Sequence, residues 1–330
     1  MKPSGIRYEQ IGDKGALIKS QLYLSIMGRP QKETEKDTDH AIAGAVSGLL
    51  TRFICQPLDV IKIRFQLQVE PISTHYNGKY KSIFQAFWLI LREERVAALW
   101  KGHIPAQLLS IVYGMTQFYS YNILMKMLEM SETDKWKYSW NFIAGGSAGS
   151  VATIVSFPFD TLRTRLVAQS SNHRVYDGVL HSCRSILRQE SPRVFFYGLS
   201  PTLLQIAPHT GLQFMFYSIF TDLYKKYYTN AKTDVYNSIV SGGAAGLIAK
   251  TVVYPFDLAK KRLQIQGFQH GRKGFGRFFQ CNGLLNCLIV TIKKEGLLGM
   301  FKGLVPSQVK AAIVTALYFT SYEQALLLLR

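Results

Sequence analysis

Acidic residues are scarce in this chain. Its 330 residues hold 21 Asp and Glu against 39 Lys and Arg, a formal net charge of +18. Cysteine is scarcer still. The four present, Cys55, Cys183, Cys281 and Cys287, share no Cys-x-x-Cys spacing, which argues against a disulfide framework and against a zinc site. Strongly apolar runs of membrane-spanning length do not stand out, so a simple hydropathy rule undercalls any spans. No phosphate loop, EF-hand loop, metal-ligand spacing or nucleophile–base pairing emerges, which leaves an enzyme without footing and implies no cofactor or metal. A positive balance suits nucleic acid, anionic lipid or an anionic small solute. With no polybasic arm and no nucleic-acid motif, nucleic acid is set aside. Residues 1–38 mix both signs of charge and read as a polar N-terminal tail, without a signal peptide, and with too many acids for a cleaved presequence.

What is there is repetition. Pro-x-Asp-x-x-Lys/Arg-x-Lys/Arg occurs at Pro57–Arg64, Pro158–Arg165 and Pro255–Arg262, each at the end of an apolar run. Copies about a hundred residues apart mean a tripled unit, with repeats over 39–134, 135–232 and 233–330. Each opens with Gly-x-x-x-Gly (Gly44/Gly48, Gly145/Gly149, Gly242/Gly246), and the motif proline follows at a constant interval. A polar loop, a short amphipathic segment and aromatic-x-Gly follow, ending at Gly102, Gly198 and Gly303. A second apolar run then closes the unit.

This plan predicts six long helices, near 40–66, 103–127, 138–167, 199–225, 236–265 and 304–329. Lengths of roughly 22–30 residues cross a bilayer core of about 30 Å with some tilt. Gly-x-x-x-Gly lets helices approach closely in lipid, whereas in a soluble helical repeat each glycine would cost about 1 kcal/mol without return. The fold class is therefore an all-α membrane protein with three pseudo-threefold repeats. The three within-unit loops, 62–102, 163–198 and 260–303, hold 22 basic and 6 acidic residues. They should face the positive-inside compartment, which puts both termini on the opposite side.

A proline inside a helix bends it and frees a carbonyl. In a membrane that carbonyl needs protein or a wet cavity beside it. The motif's acid and first base lie three apart on one helix face. An intramembrane charge costs about 2.5–3.5 kcal/mol, so each needs a partner or water. Three bent helices can close a ring, Asp59–Arg163, Asp160–Lys260 and Asp257–Lys62, that plugs one end of a central cavity and breaks reversibly. The plainer reading is static interhelix glue, which does not call for a proline in every copy.

With the tripled motif, the hundred-residue unit and Trp100-Lys101-Gly102, the sequence resembles the mitochondrial carrier family over about residues 39–330. The resemblance implies a six-helix barrel in the mitochondrial inner membrane, with short matrix helices and alternating access, working as a monomer with both termini toward the intermembrane space. It implies that Gln66 and Gln264 brace the matrix ring, with Val167 leaving the second repeat unbraced. It implies a cytoplasmic gate at Tyr121, Tyr217, Tyr322 and Glu323, weak because no base stands at the pattern's third position. Cardiolipin, the expected lipid partner, would meet backbone amides at glycine-led helix starts: Gly78, Gly102, Gly178, Gly198, Gly283 and Gly303. Tyr76-Asn77-Gly78 and Tyr176-Asp177-Gly178 are alike there, while Cys281 departs from the pattern, as does Tyr197 before Gly198.

The family's contact points fall at Leu109/Ser110, Gln205/Ile206 and Lys310/Ala311. Five residues before the motif prolines stand Arg52, Thr153 and Lys250. Arg52, Lys250 and Lys310 are then unpaired bases at mid-membrane, with no acid in the spans left for them. They call for a multiply charged anion such as a di- or triphosphate. Tyr113, His209 and Gln213, with Gln117 and Tyr318 beyond, suit a heterocycle attached to it, although each taken singly also suits bundle packing. The likeness within the family, on Asp59–Gln68, Trp100–Ser110, Pro201–Leu204 and Pro306–Lys310, implies thiamine pyrophosphate as the transported substrate, exchanged for nucleotides. Adenine nucleotides or coenzyme A present similar chemistry, and a membrane interaction protein that no longer transports is a third possibility.

Overall fold

The computed structural model describes residues 34–70, 78–127, 137–169, 174–227, 234–268 and 279–329. Most of the polar tail and the Tyr76–Asn77 pair lie outside the described residues. Among the described residues all regular structure is helical. Six long helices are α1 (Thr34–Leu67), α3 (His103–Met127), α4 (Lys137–Ala168), α6 (Leu199–Tyr227), α7 (Asp234–Gln264) and α9 (Leu304–Leu329). Three short ones, α2 (Ile83–Glu94), α5 (Val179–Gln189) and α8 (Gly283–Glu295), follow α1, α4 and α7, each leading into a 3-10 turn that ends on the aromatic-x-Gly element. The expected spans agree with the long helices to within two residues, except that α1 begins six residues earlier than expected.

The order of packing closes a ring. The broadest helix contacts are α3 on α4, α6 on α7, and α9 back on α1. The units therefore pack more on their neighbours than within themselves. Small residues make this possible: Ala43, Ser47, Ala148, Ala152, Ala245 and Ala249 are wholly covered. Large apolar side chains point outward instead, among them Leu49, Phe53, Met115, Phe118, Phe214 and Val252. Small inside and large outside inverts a water-soluble bundle and fits helices packed in lipid. Among the described residues one helix, within Leu297–Leu328, is apolar enough to satisfy a simple hydropathy test. The other long helices fall below that test; α1, α4 and α7 carry the motif charges, which are held by partners inside the ring.

Pro57, Pro158 and Pro255 lie inside α1, α4 and α7 without ending them. These three helices touch one another, and the ion pairs of the motifs join them. The glycine after each aromatic turn meets the motif of the next unit. Gly102, Gly198 and Gly303 have φ of +74°, +89° and +82°. A Cβ there would stand 3.0 Å from the Arg163 carbonyl oxygen, 2.7 Å from that of Lys260 and 3.1 Å from that of Lys62. Both the left-handed backbone and the close approach demand glycine. The start of each even long helix is thus keyed to the backbone of a motif base.

One expected helix start is corrected. Gly78 does not lead α2. Ser82 does, as N-cap, its side chain accepting from the Gln85 amide at 3.2 Å. The counterpart of Tyr176 is consequently Tyr80 rather than Tyr76. Both tyrosines donate their backbone amide to a glutamine that ends the preceding motif helix, Tyr80 to Gln68 at 2.8 Å and Tyr176 to Gln169 at 3.0 Å.

Candidate functional site: an ion-pair ring

Where α1, α4 and α7 converge, the three acid–base pairs anticipated from the motif are present. Arg163 Nη2 lies 2.5 Å from Asp59 Oδ2, Lys260 Nζ 2.8 Å from Asp160 Oδ2, and Lys62 Nζ 3.1 Å from Asp257 Oδ2. The Asp59 and Asp160 carboxylates are nearly covered, while Asp257 is 21% exposed, so stripping either of the first two of its cations would leave a buried charge, at a cost of about 3–5 kcal/mol.

The ring is not threefold. Lys261 stands where the other repeats have Ile63 and Thr164. Its Nζ reaches Asp160 Oδ1 at 2.9 Å, Thr164 Oγ1 at 2.9 Å and Gln264 Oε1 at 3.0 Å. Gln264 in turn donates to Asp160 Oδ2 at 2.9 Å, so it touches the ring. Gln66 does not. Its amide donates to the Tyr254 hydroxyl at 3.0 Å, and that hydroxyl donates to the Lys302 carbonyl at 2.9 Å. The physical reason is Tyr254, one residue before Pro255, whose fully buried hydroxyl takes up the Gln66 amide.

Asp59 also carries a second cation. Lys310 Nζ lies 2.5 Å from Asp59 Oδ1, on the oxygen that Arg163 leaves open. This corrects the expectation of three unpaired bases. Lys310 has an acid partner, and Arg52 donates to the Ala106 carbonyl. Lys250 alone of the three makes no ion pair or hydrogen bond among the described residues. Lys62, Asp257, Lys310 and Asp59 all lie within its electrostatic reach, and His209 senses both Lys250 and Asp257. Lys250, Lys310 and His209 thus gather near the Lys62–Asp257 pair and Asp59.

The remaining pocket candidates divide. Ser110 and Gln205 are half-buried and Gln213 is exposed. Tyr113 and Tyr318 lie against neighbouring helices: a Cβ on Gly149 would be 3.7 Å from the Tyr113 hydroxyl, and one on Gly44 3.8 Å from that of Tyr318. Packing across the unit boundary accounts for both positions. At the far end, Tyr217 packs its ring over Gly242. Tyr322 shares a 2.7 Å hydrogen bond with His40 Nδ1 and stacks on Tyr318. Glu323 is exposed and makes no ion pair among the described residues.

A second tier below the ring was not anticipated. The last base of each motif grips an acid that ends a short helix. Arg64 meets Glu94 at 2.6 and 2.8 Å, Arg165 meets Glu190 at 2.5 and 3.0 Å, and Arg262 meets Glu295 at 2.5 and 2.9 Å. Two parallel bonds on a planar guanidinium make a strong, directional pair. Lys101 and Lys302 add a cation to Glu94 and Glu295; the second repeat has Tyr197 there. Burial pushes the Glu94 carboxyl up, but its bonds to Arg64 and Lys101 outweigh that and hold it down at about 2. The tier also crosses unit boundaries. Lys101 donates to the Gln169 carbonyl at 3.2 Å, Arg165 to that of Gln266 at 2.8 Å, and Lys302 to that of Val69 at 2.7 Å. A sequence signal existed: Glu94, Glu190 and Glu295 precede Trp100, Phe196 and Phe301 by one constant interval.

Comparison with known proteins bears on this arrangement. A sequence model described as mitochondrial carrier protein matches residues 34–132, 135–228 and 231–330. The mitochondrial thiamine pyrophosphate carrier of Homo sapiens is 46% identical over 287 residues, covering 86% of this chain and 89% of that protein. The protein of the same description from Bos taurus is 44% identical over 305 residues, covering 90% and 96%. Mitochondrial thiamine pyrophosphate carrier 1 of Phaeosphaeria nodorum is 39% identical over 296 residues, covering 86% and 91%.

Proposed function

This chain belongs to the mitochondrial carrier family, and from that premise we propose that it transports thiamine pyrophosphate by alternating access, in exchange for nucleotides. It is a transporter rather than an enzyme, and a multi-pass protein of the mitochondrial inner membrane. The observation that carries the substrate reading is the shared position of Lys310. Its ammonium rests on Asp59, beside the Arg163 pair, while Lys250 makes no ion pair among the described residues and stands near Lys62 and Asp257. A pyrophosphate held between Lys250 and Lys310 draws Lys310 off Asp59. Binding then removes one of the two cations on that carboxylate and loosens the ring, which is how substrate would open the matrix gate. His209, Ser110 and Gln205 orient the organic part, with Arg52 and Gln213 at the pocket's edge.

In this reading the matrix gate consists of Asp59, Lys62, Asp160, Arg163, Asp257 and Lys260, with Gln264 on the ring and Gln66 acting through Tyr254. Tyr121, Tyr217, Tyr322 and Glu323 close the cytoplasmic side. Cardiolipin phosphates sit at Gly102, Gly178, Gly198, Gly283 and Gly303, and Ser82 takes the place first assigned to Gly78. The carrier works as a monomer with both termini in the intermembrane space.

The test is exchange in liposomes with labelled thiamine pyrophosphate, thiamine monophosphate, ADP and coenzyme A. Exchange of thiamine pyrophosphate ahead of the others is expected. Transport of ADP or coenzyme A without thiamine pyrophosphate would replace the substrate. Transport of none would return the chain to an interaction role.

A further inference from the structure

The third repeat departs from the other two at the start of its short helix. In the first two repeats a tyrosine lends its hydroxyl to the motif arginine: Arg64 donates to Tyr80 Oη at 2.9 Å and Arg165 to Tyr176 Oη at 3.2 Å. The corresponding residue in the third is Cys281, and Arg262 donates to Thr291 Oγ1 instead, at 2.9 Å. Within the short helix, Ala86 and Ser182 are matched by Cys287, each eight residues before the glutamate that grips the arginine. Both substitutions fall in one repeat and face the same space.

There the two thiols lie in one buried cluster, near enough to act on each other electrostatically. They pack with Ala259, Leu263 and Phe279. Gln266 Nε2 lies 3.5 Å from Cys281 Sγ, Cys287 Sγ lies 4.0 Å from the Ala259 carbonyl, and the Arg262 guanidinium stands 4.7 Å from the Phe279 ring centre. Cys281 keeps 7% of its surface exposed and Cys287 none. A small oxidant therefore meets Cys281 first. Thiols gathered in one cluster and only six residues apart in the chain need a local approach to reach the S–S bond length of about 2.05 Å.

We propose that Cys281 and Cys287 are a reversible oxidation site, closing to a disulfide in response to a hydroperoxide. The Cys281 thiolate attacks one peroxide oxygen. The O–O bond breaks, leaving a sulfenic acid and, from hydrogen peroxide, a molecule of water. The Cys287 sulfur then attacks the Cys281 sulfur and expels a second water, so two thiols and one peroxide become one disulfide and two waters. The roles agree with the local chemistry. The neighbouring Cys287 thiol, helped by the Arg262 charge, lowers the Cys281 pKa, while the Cys281 thiol and burial push Cys287 up. The more exposed thiol is thus the better nucleophile, and the covered one resolves it.

The experiment uses the full-length carrier, reduced, treated with substoichiometric hydrogen peroxide, then alkylated and mapped by peptide mass. A linked Cys281–Cys287 peptide, reversed by dithiothreitol, is expected, with Cys55 and Cys183 still alkylated as thiols. Cys287→Ser gives the third repeat the residue that Ser182 supplies in the second. There Cys281 should advance to sulfinic acid for want of a resolving thiol. In Cys281→Ser, Cys287 should stay reduced. Oxidation of Cys183 ahead of the pair, sulfinic acid at Cys281 in the unmodified sequence, or oxidation of Cys287 in Cys281→Ser would each overturn the assignment.

Discussion

Asp59, Asp160 and Asp257 stand at equivalent places yet hold different company. Asp59 holds Arg163 and Lys310, Asp160 holds Lys260 and Lys261, and Asp257 has Lys62 as its one described ion-pair partner. Exchanging the charges of Lys62 and Asp257 together should therefore recover more transport than exchanging those of Asp59 and Arg163, because the second swap sets a new cation beside Lys310. Exchange rates of the two double variants and their four singles decide this; equal recovery would mean that Lys310 does not share Asp59. Lys260→Ala should be milder than Lys62→Ala by roughly tenfold in rate, since Lys261 stays on Asp160 and no buried carboxylate is stranded. Lys310→Ala should abolish the preference for pyrophosphate over monophosphate, measured as the ratio of their exchange rates. An unchanged ratio would remove Lys310 from the phosphate site.

At the scale of elements, the joints between units rest on glycine and on the arginine–glutamate tier. Gly198→Ala sets a Cβ 2.7 Å from the Lys260 carbonyl at φ +89°; strain of this kind costs about 1–3 kcal/mol. Gly178→Ala, whose added Cβ meets nothing within 4 Å, should be tolerated. Thermal unfolding of the two variants in detergent tests the contrast. The Glu94 clasp has its own pH signature. Its carboxyl is depressed to about 2 when folded, against about 4.3 in an unfolded chain. The stability it adds is present above that ordinary value and is lost as pH falls toward about 2. Hydrogen exchange along Ile83–Glu94 should stay slow at pH 5 and quicken below about 4, and Glu94→Gln should abolish that dependence. These joints were only partly legible. The turn glycines were visible as a pattern, but their contact with a carbonyl in the next repeat belongs to no single segment.

The whole molecule is a ring closed within one chain, with α9 returning to α1. No second copy is needed to complete it, so light scattering of the detergent-solubilised carrier should give one chain's mass, 37.4 kDa, once bound detergent is subtracted. The sequence by itself determined the tripled unit, the six spans and the acid and base that each motif brings to the ring. Period, proline and charge spacing act within a helix or repeat, whereas a ring of three equal units can be paired in two senses, and packing selects the one in which Asp59 meets Arg163. Only the tertiary structure decided that Lys310 rests on a carboxylate 251 residues away, that Tyr80 rather than Tyr76 caps the first clasp, that Gln66 turns to Tyr254, and that Cys281 meets Cys287. Each depends on how side chains from separate segments fill one shared space, and no local pattern specifies that space before the ring has closed.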